Sequence, residues 1–151
     1  MLAAVRVRGW VDISPGIKKT LELLGLDRVN HLALFDESAM PMLRKAESRV
    51  TFGEIDAETL ALLLEKRGRL PGRKKLDAHF LKDKKFRDFK EAAKALLEKK
   101  AALEQLGIKR VFRLNPPSKG YERAGIKKGF KSGGALGYRA SDINALLRRM
   151  I

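Results

Sequence analysis

Two imidazoles, no thiol and scattered carboxylates are the whole supply of groups that could exchange protons or act as nucleophiles near neutral pH. His31 opens an apolar run beside Asn30, while His79 lies far away in a basic stretch, so the sequence forms no catalytic pair. The lysines and arginines offer another chemistry, the binding of phosphate. They recur between glycines and rings: Asn115-Pro116-Pro117-Ser118-Lys119-Gly120-Tyr121, and then Gly125-Ile126-Lys127-Lys128-Gly129-Phe130-Lys131-Ser132-Gly133-Gly134-Ala135-Leu136-Gly137-Tyr138-Arg139. Gly125 to Ser132 reads G-x-x-x-G-x-K-S, out of step with a phosphate-binding P-loop, and Gly133 to Gly137 does not match the dinucleotide fingerprint either. With no cysteine and no carboxylate or histidine set at ligand spacing, neither a metal nor a cofactor is expected, and no catalytic residue is assigned.

Formal net charge is +15 on 151 residues, and its distribution is uneven. Residues 105–151 hold eleven Lys and Arg against Glu122 and Asp142. A second run, Lys66, Arg67, Arg69, Arg73, Lys74 and Lys75, contains no carboxylate. Cations clustered in this way point to a polyanion. Glycine at the density seen in 115–140 forgoes side-chain burial and raises the ordering cost of the backbone, so this arm is expected to take its shape from RNA. Lys119, Arg123, Lys127, Lys128, Lys131 and Arg139 would meet phosphates, the glycines would let backbone approach RNA, and Tyr121, Phe130 and Tyr138 would either stack on bases or anchor the arm. Arg28, Asn30 and His31, in one turn, are further candidates for RNA contact.

The elements that must position these groups follow from periodicity. Val5 and Val7 alternate with Arg6 and Arg8, which predicts a strand over Leu2 to Arg8. Pro15 after Ser14 opens a helix carrying Ile17, Leu21 and Leu24 on one face. His31 to Phe35 is a second strand, Met40 and Leu43 mark a short helix, and Arg49 to Phe52 is a third strand. This β-α-β-α-β order predicts a two-layer α/β sandwich with both helices on one side, leaving Arg6 and Arg8 on an uncovered face. Beyond it, Asp56 caps a helix to Arg67, Arg69 to Lys85 reads as loop, and Phe86 to Leu106 reads as one long helix. Ile108 to Leu114 is a fourth strand stopped by the proline pair, and Ser141 caps a last helix with Ile143, Leu146, Leu147 and Met150 inward. That helix must pack on something, so the arm is tethered at both ends.

At this point four segments resemble the archaeal and eukaryotic branch of the L-thirty family of large-subunit ribosomal proteins, called L-seven in eukaryotes. They are Val7-Arg8-Gly9 with Ile17 to Leu24 and Arg28-Val29-Asn30-His31; Thr51-Phe52-Gly53-Glu54-Ile55; Lys66-Arg67-Gly68-Arg69-Leu70; and Arg113-Leu114-Asn115-Pro116-Pro117 through Gly120-Tyr121 to Gly133-Gly134-Ala135-Leu136-Gly137-Tyr138-Arg139. The last is the most specific. The resemblance implies an α+β fold, with a ferredoxin-like β-α-β-α-β two-layer core over 1–55. It also implies a helical, basic, Gly-rich C-terminal extension over 56–151, with helices near 56–67, 86–106 and 141–150 and the RNA-docking arm at 115–140. Phe52 stands where many relatives carry Trp, and the stretch from Arg69 to Lys90 is more basic than in some.

The family implies a structural constituent of the large ribosomal subunit, not an enzyme, that binds ribosomal RNA and supports assembly and translation. Arg67, Arg69, Arg73, Lys74, Lys75 and Arg113 join the arm as candidate RNA contacts. Large-subunit ribosomal RNA, with 5S RNA among the candidates, and neighbouring ribosomal proteins are the expected partners. No small-molecule substrate is expected. A nucleic-acid-binding protein or RNA chaperone acting off the ribosome is the alternative. Met1 to Trp10 is unlike a signal peptide and no apolar run approaches the roughly 18 residues of a membrane helix, so the cytoplasm, on the ribosome, is the expected location.

Overall fold

The expected strand at the start of the chain forms as β1, Leu2–Arg6, and lies at the centre of a five-stranded sheet. The computed structural model describes residues 1–83, 86–98, 103 and 106–151, and of residues 73, 78, 82 and 83 the backbone only. The other strands are β2 (His31–Phe35), β3 (Val50–Glu54), β4 (Val111–Arg113) and β5 (Gly137–Tyr138). Their spatial order is β4-β2-β1-β3-β5, antiparallel throughout except for the parallel pair of β3 and β5. Between β1 and β3 lie α1 (Pro15–Leu23) and α2 (Met40–Lys45), as the periodicity predicts.

The rest of the helices are α3 (Ala57–Arg67), α4 (Ala78–Asp83), α5 (Phe89–Leu97) and α6 (Ile143–Met150). Asp56 caps α3 as expected, its carboxylate accepting from the Thr59 N–H at 2.7 Å. Of the long helix expected over 86–106, the described residues show only α5: Asp88 is its N-cap, so it starts at Phe89 and not Phe86, Glu98 is its C-cap, and Leu103 and Leu106 lie in turns, while 99–102 and 104–105 lie outside the described residues. The stretch read as loop contains α4, whose Leu81 is buried, and a bridge between Arg69 and Lys75. Its cations masked a short apolar anchor.

The uncovered sheet face is corrected. Leu2, Ala4, Ala33 and Phe52 meet Leu21, Leu24 and Leu43 on one side, as a two-layer core requires. On the other side Ala3, Val5, Leu32 and Leu34 are buried under Leu60, Leu63 and Leu64 of α3 and Leu146 and Leu147 of α6. Strand β1 is therefore buried on both faces, with Val5 toward the C-terminal helices and Arg6 toward α1. Arg6 is wholly buried: its guanidinium donates to the carbonyls of Arg8, Leu26 and Asp27, and it stacks 3.7 Å from the Trp10 ring centre.

Helix α6 is held over β3 by Asn144, whose amide donates to Glu54 O and Ser141 O while its Oδ1 accepts from the Asp56 N–H. Only glycine fits beneath this junction, since a Cβ on Gly53 would sit 2.1 Å from Ala140 O.

Candidate nucleic-acid interface

The arm is folded on its own chain, contrary to the expectation that RNA alone would shape it. Two of its turns lie side by side, with Phe130 N donating to Leu136 O at 2.7 Å, Leu136 N to Lys128 O at 3.1 Å and Ala135 N to Gly125 O at 3.1 Å. Gly134 passes so close to Lys128 that a Cβ would lie 2.2 Å from that carbonyl oxygen. Gly134 thus serves a contact within the arm, whereas a Cβ on Gly120 or Gly125 would meet nothing within 4 Å. Ala135 and Leu136 are buried with Val7, and Tyr121 packs against them.

Arg139 ties this assembly down, and it is not a free cation. Its side chain is 1% exposed and makes a fork-to-fork pair with Glu122 at 2.5 and 2.7 Å. It also donates to Thr51 Oγ1 at 2.7 Å and Ala135 O at 2.9 Å, while the Thr51 hydroxyl donates to Gly137 O. Its expected phosphate contact is therefore replaced by an internal one. Burial pushes the Glu122 carboxyl up, but its hydrogen bonds from Arg139 and the nearby positive charge outweigh this and hold it below its ordinary value. A carboxylate with a depressed folded value contributes stability above the unfolded value of about 4.3 and loses it as pH falls through the folded one. The arm should accordingly loosen on acidification below about pH 4.3, and Glu122→Gln should flatten that part of the curve in pH-dependent hydrogen exchange of the Ala135 and Leu136 amides.

Around this clasp the remaining cations point outward. Lys119, Arg123, Lys127, Lys128 and Lys131 are exposed, and none is paired with a carboxylate among the described residues. The aromatics divide the other way. The Tyr121 hydroxyl donates to Asn30 Oδ1 at 3.2 Å, the Phe130 ring lies 4.5 Å from the Arg139 guanidinium, and the Tyr138 hydroxyl donates to Glu54 at 2.5 Å with its ring 5.6 Å from that of Phe52. All three anchor the arm. Asn30 is likewise a framework residue, holding a left-handed turn at φ 64° while its backbone bonds Arg6 and Leu114.

The second gathering is a groove of about 490 Å³ at the β4 edge, lined by Gly25, Asp27, His31, Arg67, Arg69, Lys109, Val111 and Arg113. The β2–β4 register sets His31 directly opposite Arg113. Arg67 donates to Ile151 O at 2.8 and 3.2 Å, which fixes its guanidinium at the groove wall. Burial first, then the charge of Arg113, holds the His31 imidazole below its ordinary value, so it is neutral near pH 7. Arg28, Lys74 and Lys75 are exposed outside the groove lining, and the side chain of Arg73 lies outside the described residues. Sequence reasoning left Lys109 unassigned; its only signal was membership of the basic C-terminal third.

The family model for ribosomal protein L30p/L7e matches residues 2–50. A large ribosomal subunit protein uL30 of Nanoarchaeum equitans is 52% identical over 153 aligned positions, covering 100% of this chain and 99% of the relative. The chain belongs to the L30p/L7e family. A uL30 of Methanococcus maripaludis is 46% identical over 151 positions, covering 99% of this chain and 98% of the relative. One of Thermoplasma volcanium is 46% identical over 155 positions, covering 100% and 93%. The L30p/L7e match itself ends at residue 50, before α3, β4 and the arm, whereas these full-length relatives span all three.

Proposed function

We propose that this L30p/L7e member is a structural constituent of the large ribosomal subunit, binding ribosomal RNA and supporting subunit assembly and translation without turnover. The observation that carries the reading is the pedestal of the arm: a rigid clasp from which Lys119, Arg123, Lys127, Lys128 and Lys131 project unpaired into solvent. Unpaired cations on a pre-shaped surface suit phosphates, which position a protein on RNA without reading its sequence. Its relatives, named as large ribosomal subunit proteins, supply the RNA. The place of action is the ribosome, in the cytoplasm; among the described residues no helix is long and apolar enough to cross a membrane.

Replacing Lys127, Lys128 and Lys131 with Glu is expected to leave the fold intact, because these side chains have no partner to lose among the described residues. In filter binding to large-subunit RNA, the slope of log affinity against log salt should fall by about two to three units, one contact's worth per lysine. Sucrose-gradient cofractionation of the variant should shift from the subunit peak to the supernatant; retention in the peak at physiological salt would take these lysines out of the RNA interface, and absence of the unaltered chain from the peak would refute the ribosomal reading. Running 5S RNA in parallel with the larger RNA separates the two candidate partners.

A further inference from the structure

Strand β4 ends one side of the sheet with a short open edge. Leu114 N donates to Asn30 O at 3.0 Å, one step beyond the opposed pair His31 and Arg113, so the even-numbered Phe112 and Leu114 turn their backbone groups toward β2. The odd-numbered residues turn theirs outward. Lys109 N donates to Arg69 O and Asn115 N to Met150 O, both at 3.0 Å. Between these two closures the N–H and C=O groups of Val111 and Arg113 face away from the sheet, with no backbone partner there among the described residues. Two donors and two acceptors thus stand in a row at the spacing of a ladder.

Room for a further chain lies beside this edge. Val111 and Arg113 both line the groove of about 490 Å³, together with Arg67, Arg69 and Lys109. An unpaired ladder is a template for strand addition, and charged side chains on the edge decide which strand is admitted. Lys109 and Arg113 are exposed, and neither side chain is paired with a carboxylate among the described residues. The same edge of a second copy would bring like charges together, whereas an acidic strand meets opposite charge. A sugar–phosphate backbone would answer the cations, but it carries no row of N–H donors for the Val111 and Arg113 carbonyls. The ladder therefore favours a peptide over RNA.

We propose that the β4 edge docks an extended acidic segment of a neighbouring protein, which joins the sheet as a further strand and sets carboxylates beside Lys109 and Arg113. The inference goes beyond RNA binding and rests on the ribosomal reading only for where the partner is met. The first test uses the full-length protein in solution and, as probe, a short blocked peptide of alternating Glu and Val. At about ten times its Kd, this peptide should slow hydrogen exchange of the Val111 and Arg113 amides about tenfold. A peptide of alternating Lys and Val should give no protection. No protection by the acidic peptide, or equal protection by the basic one, overturns the proposal and leaves the ribosomal role standing. Val111→Pro removes one outward N–H while keeping every cation, a change that an edge strand tolerates. It should abolish the protection at Arg113 and leave the salt slope on large-subunit RNA unchanged; a lowered slope makes the edge an RNA contact and overturns the proposal. The second test uses reconstituted subunits. Because the chain has no cysteine, Arg110→Cys, close to the groove wall at Gly25, can carry a single photoreactive benzophenone. It should crosslink to a carboxylate-rich protein segment, identified by mass spectrometry, and Val111→Pro should remove that crosslink. Crosslinking to RNA, or to a segment without carboxylates, overturns the proposal. Failure of the unaltered chain to enter subunits sinks the ribosomal reading instead, and the solution test then decides the docking edge alone.

Discussion

Arg139→Met is expected to lower the unfolding free energy by about 3 kcal/mol, measured by urea denaturation. The side chain it removes satisfies both Glu122 oxygens, the Thr51 hydroxyl and the Ala135 carbonyl, and it is almost wholly buried. Breaking a buried pair by deleting one partner leaves the other charge uncompensated, at a cost of about 3–5 kcal/mol. The low end applies because Glu122 is 21% exposed and can rehydrate. Lysine is no substitute, since it cannot make the two-pronged pair and reach Thr51 together. Under conditions where the variant is folded, its salt slope on RNA should equal that of the wild type, because no phosphate contact is removed. A lowered slope with unchanged stability would instead put the guanidinium on RNA.

A fragment ending at Ile55 should fail to fold cooperatively, shown by broad, non-coincident unfolding transitions and by binding of a hydrophobic dye. It keeps α1 and α2 on one side of β1, β2 and β3, but it strips the other side bare. Ala3, Val5, Leu32 and Leu34, each no more than 3% exposed in the whole chain, would face water together. Beta strands β4 and β5 would also go, leaving both sheet edges open for association. A sharp two-state transition for the fragment would show that residues 56–151 are an accessory to a self-sufficient core.

The parts of the fold legible in the sequence are those written in local pattern. The Asp56 cap, the proline at the start of α1 and the inward quartet of α6 each depend on neighbours within a turn or two, and each lies where its spacing put it. The face assignment of β1 failed for a reason equally physical. Arg6 looked like a solvent residue, but three carbonyls and an indole receive its charge, two of the carbonyls from some twenty residues downstream. No periodicity reveals such a partner. The arm was recognised as a cationic loop tied at both ends, yet its order was missed. Its internal stability comes from Glu122 and Arg139, seventeen residues apart, and from Thr51 on another strand. The groove was half visible: His31, Arg67, Arg69 and Arg113 were singled out separately, and only the β2–β4 register and the return of the chain after α5 bring them together.

The parallel pairing of β5 with β3 has a consequence for biosynthesis. Thr51 waits for Gly137, 86 residues later in the chain. At elongation rates of about 5–20 residues per second, the earlier strand is made roughly 4 to 17 s before its neighbour leaves the translating machine. During that interval a nascent chain with a net cationic excess has an unpaired backbone ladder next to freshly made apolar surface. Completion of the sheet is therefore postponed until Gly137 and Tyr138 have been made.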